Sequence, residues 1–150
     1  MKVAVTTGGG KVVGIRYLPL GSDKISPRNA LAQEAARQLE RYRDDPDTVF
    51  DLPLLIEGSP LQRGVWDAMC AIPRGRTRTY GELARELGAD ARVIGQCCGD
   101  NRLPIVIPCH RVVAADGIGG FSHTSEGYLI EVKRWLLAHE IRPEEFALKP

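Results

Sequence analysis

Cys109 and His110 are direct neighbours in the sequence, within a Pro-Cys-His-Arg motif that follows the apolar run 103–107. The thiolate is the reactive form of cysteine, and a nearby imidazole can take the thiol proton and leave a nucleophile at neutral pH. The apolar residues predict a strand followed by a turn over Val106–Val113, which would hold the thiol on a rigid base. Taken alone, the pair favours an inert core cysteine, because free cysteine is among the most buried residue types.

Positive charge is concentrated around this motif. The chain has a formal net charge of +1 at pH 7, yet residues 60–115 carry eight arginines, no lysine and five acidic residues. A basic patch is the electrostatic footprint of phosphate binding. The local excess of arginine therefore indicates a nucleic-acid partner, although an ordinary solvated surface would have the same composition.

The cysteines and histidines follow no metal-binding or disulfide pattern. None of the four cysteines forms a C-x-x-C pair, two are adjacent in the sequence, and the three histidines are scattered. The chain has no signal-peptide pattern and no apolar run of membrane-spanning length. We therefore expect no metal, no contact with membranes, and a reducing, cytoplasmic compartment.

Residues 1–57 are predicted to form a small α+β support domain. Two β-prone segments, Lys2–Thr6 and Val12–Tyr17, flank a glycine turn and indicate a hairpin. Apolar residues recur at helical spacing over 31–42, and Val49–Ile56 is a further strand candidate that its proline would confine to an edge. The sequence of this region shows no group of residues that suggests catalysis.

Residues 58–150 are predicted to form a mainly helical, winged-helix-like domain, so that the whole chain is of the α+β class. Ser59 begins a helix with a capping box and a proline at its first position. A second capping box at Thr79–Glu82 opens a short helix that a glycine ends, and Asp90 caps a third helix, Ala91–Gly99. Two short helices joined by a tight turn are typical of a helix-turn-helix unit.

The third helix has an apolar face and an unusual polar face. Its core face consists of Val93, Ile94, Cys97 and Cys98, which makes these two cysteines packing residues. Glycine in an exposed helix costs roughly 1 kcal/mol against alanine, so its presence indicates that another backbone approaches closely. With an arginine beside it, such a face suggests insertion into a narrow DNA groove. The polar face consists of Arg92, Gly95, Gln96 and Gly99.

The last predicted helix, 126–140, carries two charged residues on its apolar face. Lys133 and Glu140 share that face with leucine, isoleucine and valine side chains. A buried carboxylate needs a partner. We expect either that Glu140 turns inward, with His110 as its partner, or that it lies at a frayed helix end in water.

Together these motifs resemble the O6-alkylguanine–DNA alkyltransferases, over about half of the chain. The matching segments are Ser59–Trp66, Ile72–Gly75, Thr79–Ala84, Arg92–Gly95 with Asn101, Ile107–Val113 and Lys133–Glu140. The chain departs from the family's pattern at Leu61, Arg102 and Phe121, where phenylalanine, proline and tyrosine are usual, and in a longer segment at 123–126.

The resemblance implies an irreversible, single-turnover transfer of an alkyl group from O6-alkylguanine in double-stranded DNA to Cys109, by a monomer that needs no cofactor. His110, acting through a water, would take the thiol proton, and Glu140 would orient and charge-balance that imidazole. Asn101 would brace the turn before the motif, and Tyr80 would donate a proton or hydrogen bond to the departing guanine.

The resemblance also implies substrate and DNA contacts. The main-chain carbonyls of Cys109 and Val112 would bind the guanine amino group, and Phe121 and Ser122 would form the lip of the lesion pocket. A target base must leave the duplex before its alkyl carbon can be reached. Arg92 would fill the gap, with the helix-turn-helix in the minor groove. The expected DNA contacts are Arg92, Gly95, Gln96, Gly99 and Arg111.

Three other functions are compatible with parts of this pattern. A non-catalytic protein that binds alkylated DNA would share the fold but would not keep the acceptor cysteine. A helix-turn-helix regulator would need neither Cys109 nor Glu140, and a thiol hydrolase would use Cys109 and His110 with turnover.

Overall fold

The computed structural model describes residues 2–19 and 21–141 of the 150-residue chain. It divides the chain into two compact units, Met1–Glu57 with Arg102–Val106, and Gly58–Asn101 with Ile107–Pro150. Helices and short strands occur in both, so the chain has the α+β class predicted from its sequence. The first unit includes one segment, 102–106, that the predicted division at residues 57 and 58 assigns to the second.

The first unit is built on the predicted hairpin. Strands β1 (Lys2–Gly8) and β2 (Lys11–Leu18) pair antiparallel, and Gly9 and Gly10 form the turn with φ of 58° and 76°. Positive φ at both central positions matches the twist of paired strands, and glycine adopts it without strain. Helix α1 (Ala30–Asp44) packs on this hairpin.

The strand predicted over Val49–Ile56 does not form. Only Leu54 makes a β-bridge, with Val12, and Val49 is exposed. Gln38 of α1 binds the backbone of Asp51 in both directions, donating to its carbonyl oxygen at 3.0 Å and accepting from its N–H at 2.9 Å. Because a side chain takes these backbone groups and proline lacks an N–H, no ladder extends along the segment.

The second unit begins with helix α2 (Pro60–Cys70), which has the predicted capping box at Ser59. Helices α3 (Tyr80–Leu87) and α4 (Ala91–Gly99) form the predicted helix-turn-helix pair. The turn between them contains Gly88 in the left-handed conformation, with φ of 65°. The indole Nε1–H of Trp66 donates to the carbonyl oxygen of Cys97 at 2.9 Å and thereby ties α2 to α4.

The segment Val106–Val113 differs from the predicted strand and turn, because the order is reversed. Cys109–Arg111 forms a single 3₁₀ turn, and the strand that follows, β4 (Val112–Val113), has only two residues. Pro108 precedes the turn and cannot donate to a ladder, which excludes a longer strand. β4 pairs in parallel with β3 (Arg78–Thr79), directly before α3, and helix α5 (Tyr128–Glu140) ends the described chain.

None of the helices in residues 2–19 and 21–141 is long and apolar enough to cross a membrane.

Candidate active site

Cys109 begins the 3₁₀ turn and is buried, with 6% of its surface exposed. The turn is closed by hydrogen bonds from the Arg111 N–H to the Pro108 carbonyl, at 3.0 Å, and from the Val112 N–H to the Cys109 carbonyl. Since β4 follows at once and pairs with β3, the thiol stands on a backbone held at both ends.

Asn101 supports this turn from the end of α4. Its Nδ2–H donates to the Ile107 carbonyl at 2.8 Å, and its side chain also hydrogen-bonds to Cys109. Burial raises the pKa of the Cys109 thiol, and the contacts with Asn101 and the charge of Lys133 offset only part of that rise. In the free protein Cys109 is therefore a neutral thiol at pH 7, and it could act as a nucleophile only after a base has removed its proton.

Glu140 turns inward at the end of α5, where its Oε1 lies 2.8 Å from Nε2 of His110. Both side chains are fully buried. Burial would raise the pKa of Glu140, but hydrogen bonds from His110 and Arg111 lower it to about 2. An ionised carboxylate can only accept, so Nε2 carries the proton of the neutral ring and Nδ1 is left as an acceptor. Nδ1 is buried and has no hydrogen-bond partner among the described residues.

Arg111 does not face DNA as predicted, because its guanidinium is bound inside the domain. Its Nε and Nη2 donate to the two carboxylate oxygens of Glu140, at 3.0 and 2.7 Å, and its Nη1 donates to the Ile72 carbonyl at 2.7 Å. Only 14% of the side chain is exposed. A bidentate pair with a buried carboxylate leaves no free fork for a phosphate.

Lys133 lies at the centre of a second hydrogen-bonded group, and it is not among the site residues predicted from the sequence. Its Nζ donates to the carbonyls of Val112 and Gly120, at 2.7 and 2.9 Å, and to the Tyr80 hydroxyl at 3.4 Å. The sequence offers one signal for this position, because Lys133 is a charged residue on the largely apolar face of α5. Burial lowers the pKa of Lys133 to about 8, and burial raises the pKa of Tyr80 to about 12.

The glycine-rich loop after β4 packs against Tyr80. The Tyr80 hydroxyl donates to the Gly120 carbonyl at 3.2 Å. Phe121 is buried and exchanges two backbone hydrogen bonds with Thr124, at 2.8 and 3.0 Å, so residues 121–124 form a tight turn. Ser122, at the tip of that turn, is exposed and has a φ of 51°.

Four residues of α4 are predicted to contact DNA, and three of them are accessible in the structure. Arg92 and Gln96 are exposed, and a Cβ placed on Gly95 would meet no atom within 4 Å. Gly99 differs from the prediction, since a Cβ there would lie 2.5 Å from the ring of His123. His123 Nε2 lies 3.0 Å from Oδ1 of Asp100. The group that lies close to Gly99 is therefore a side chain of this protein, the His123 ring.

Comparison with known proteins identifies the second unit. A family model for the DNA-binding domain of 6-O-methylguanine DNA methyltransferase matches residues 60–142. The chain is 40% identical over 128 residues to the regulatory protein ada of Salmonella typhimurium, an alignment that covers 83% of this chain and 35% of that protein. It is 43% identical over 103 residues to a methylated-DNA–protein-cysteine methyltransferase of Candida albicans, over 66% of this chain and 59% of that protein. The chain thus spans less than two thirds of either relative.

The structure is also similar to that of Mycobacterium tuberculosis OGT in complex with DNA, with a TM-score of 0.73 and 35% sequence identity. That alignment covers 92% of this chain and 85% of the other. The matched residues include the 3₁₀ turn with Cys109, the helix-turn-helix pair and Glu140. The chain belongs to the 6-O-methylguanine DNA methyltransferase family.

Proposed function

We propose that this protein repairs DNA by transferring the alkyl group of O6-alkylguanine to Cys109, once per molecule. One observation carries the proposal: a buried thiol is followed in one turn by a buried imidazole whose Nε2–H is held by Glu140 and whose Nδ1 is free to accept a proton. That arrangement suits a thiol which must be deprotonated only when its substrate is bound. Family membership supplies the substrate class.

The reaction we propose is an in-line displacement at the alkyl carbon. His110 takes the Cys109 proton through a water, and the thiolate sulfur forms a bond to that carbon. The bond from carbon to the guanine oxygen breaks, and its electron pair stays on the guanine. The product is a thioether, which leaves Cys109 alkylated and the protein consumed.

Tyr80 is the residue we propose to protonate the leaving guanine. Its hydroxyl carries a proton at neutral pH, since the pKa of Tyr80 is raised to about 12. Lys133 donates to the same oxygen and to the Val112 carbonyl, which we propose also accepts from the guanine amino group. A carbonyl oxygen has two lone pairs, so it can accept from both.

For the DNA complex, we propose that α4 enters the minor groove of the duplex and that the protein acts as a monomer inside the cell. Gly95 leaves open space on the exposed face, which would let the DNA backbone come close, and Arg92 and Gln96 stand on either side of it. Arg92 would occupy the gap left by the extruded nucleotide, whose unstacking costs a few kcal/mol.

The decisive experiment is an intact-mass measurement after the protein has been mixed with duplex DNA that contains one O6-methylguanine. We expect a gain of one methyl group per protein, with the label on Cys109 by peptide mapping and an equal amount of guanine restored. Cys109→Ala should bind the same duplex without any mass gain. Binding without transfer by the unmodified protein would indicate a lesion-binding or regulatory protein, turnover without a mass gain would indicate a hydrolase, and label on Cys97 or Cys98 would refute the acceptor.

A further inference from the structure

Arg111 is bound to the catalytic carboxylate more extensively than His110 is. Its Nε and Nη2 donate to Oε1 and Oε2 of Glu140, while His110 donates to Oε1 alone. A third donor, Nη1, is fixed on the Ile72 carbonyl, so the guanidinium plane cannot rotate away. Arg111 is therefore an integral part of the His110–Glu140 group.

Charge balance explains what this contact does. A fully buried carboxylate whose only partner is an imidazole favours the imidazolium form, because an opposite charge at hydrogen-bond distance stabilises the protonated ring. An imidazolium has no acceptor left and cannot remove the proton of Cys109. With Arg111 in place, the charge of Glu140 is already balanced, and the pKa of His110 is lowered, by burial first and also by the nearby charges of Arg111 and Lys133.

Several other charged or titratable groups surround this pair and are part of the same balance. They are Lys133 on α5, Cys109 on the 3₁₀ turn, Arg74 after α2, which donates to the main-chain carbonyl of Glu140, and Cys70 at the end of α2 near Arg111. Arg111 differs from the other cations in this group, because it contacts the carboxylate oxygens themselves.

We propose that Arg111 is a positioning residue for proton abstraction: by holding both oxygens of Glu140 it lets that carboxylate orient the His110 ring without protonating it, so that Nδ1 remains a neutral acceptor for the Cys109 proton. The proposal rests on the alkyl transfer proposed above. It predicts that the charge of Arg111 sets the protonation of His110 even when no DNA is bound.

The test is an NMR titration of His110 in the free protein, for wild type, Arg111→Met and Arg111→Lys. The wild-type ring should take up its proton below pH 6.5, because burial lowers the pKa of His110. In Arg111→Met the His110–Glu140 pair should take up its proton about 1 to 2 pH units higher, and Arg111→Lys should lie between the two. Arg134→Met, which removes an exposed charge of α5 paired with Glu131, should leave the titration unchanged and is the matched control.

The single-turnover rate of alkyl transfer should follow the same shift. Arg111→Met should be slow at pH 6 and should recover toward the wild-type rate at pH 8.5, a recovery that a general folding defect would not produce. The double variant Arg111→Met/Glu140→Gln has no buried carboxylate to balance, so its His110 should titrate at or below the wild-type pH. If the single variant does not fold, Arg111→Lys and the double variant provide the same comparison.

Two results would overturn the proposal. One is an unchanged His110 titration in a folded Arg111→Met protein, and the other is a double variant that shifts as far as the single one. Because the titration is measured without DNA, it remains informative if no alkyl transfer is found, and a failure of transfer in wild type would count only against the proposed function.

Discussion

The ring of Tyr80 lies directly against Gly119, so closely that a Cβ on this glycine would stand 2.8 Å from Cε2 of the ring and 3.1 Å from its hydroxyl oxygen. Gly119 also has a φ of 73°, which an L side chain rarely adopts. The phenol is thus positioned by the absence of a side chain on the facing loop, together with its hydrogen bonds to Gly120 and Lys133.

Gly119→Ala should therefore slow alkyl transfer by displacing the Tyr80 hydroxyl, about tenfold or more if the oxygen moves by about 1 Å. The measurement is the single-turnover rate on a duplex with one O6-methylguanine. Gly117→Ala, in the same loop, is the control, because its Cβ would meet no atom within 4 Å. Equal rates for the two variants would mean that the position of Tyr80 is unimportant.

Gly95→Ala should change stability and DNA binding in opposite directions. Nothing lies within 4 Å of the new Cβ, and alanine in a helix interior is favoured over glycine by about 0.5–1 kcal/mol, so the free energy of unfolding should rise. The same methyl group would obstruct a closely approaching DNA backbone, and duplex affinity should fall. Urea unfolding and a DNA titration measure the two effects.

Gly64→Ala is the matched control for Gly95→Ala. Gly64 lies within α2, and its Cβ would also meet no atom within 4 Å. This variant should gain similar stability with unchanged affinity for DNA. If both variants bind the duplex as wild type does, the exposed face of α4 is not the DNA-binding face.

Arg92→Ala should reduce repair of duplex DNA much more than reaction with the free base O6-benzylguanine. The free base needs no extrusion, whereas in a duplex the variant would lose the side chain that is proposed to fill the gap. Rates on both substrates are compared with those of Arg134→Ala, whose arginine is exposed on α5. Equal losses on the two substrates would point to a damaged fold and refute the role of Arg92.

Glu140→Gln should remove a pH dependence of stability. The pKa of Glu140 is about 2 in the folded protein against an ordinary 4.5, so its ionised form contributes stability that is complete above pH 4.5 and is lost as the pH falls toward 2. At pH 7 the variant should lose about 3 kcal/mol, because Arg111 is left buried without a counter-charge. Near pH 2.5 the free energies of unfolding of wild type and Glu140→Gln should become nearly equal.

Urea unfolding at a series of pH values measures this convergence. Glu131→Gln, whose carboxylate is exposed and only 3.6 Å from Arg134, should give a curve parallel to wild type. A constant difference between wild type and Glu140→Gln from pH 7 to pH 2.5 would contradict the low pKa of Glu140.

The helices of the second unit could be predicted closely because their signals are local. Ser59 and Asp90 cap the helices whose first turns follow them, and the apolar face of α4 follows from residue spacing within nine residues. The inward turn of Glu140 is one of two alternatives that the sequence leaves open, since only the tertiary structure decides whether the end of a helix is covered.

The errors at the site concern contacts between residues far apart in sequence. The resemblance implies a DNA contact for Arg111, but its partner Glu140 lies 29 residues further along the chain. Gly99 was assigned to a groove-facing surface, but a loop 24 positions later covers it with His123. Side-chain charge and helical spacing do not decide which distant partner such a residue meets. Two of the three acceptors of Lys133 are backbone carbonyls, which every residue provides, so the side-chain pattern does not single them out.

The burial of Cys109 also affects how long an unused molecule stays competent. If each molecule transfers one alkyl group, as proposed, a molecule whose thiol has already reacted with a soluble oxidant or electrophile can no longer accept one. Such reagents consume exposed thiolates fastest, and Cys109 is a buried thiol whose pKa is raised. Burial therefore has two effects: it makes a base necessary for the reaction, and it protects the unreacted thiol of Cys109 from oxidation. In dilute peroxide, wild-type protein should keep its alkyl-transfer activity longer than variants that expose Cys109.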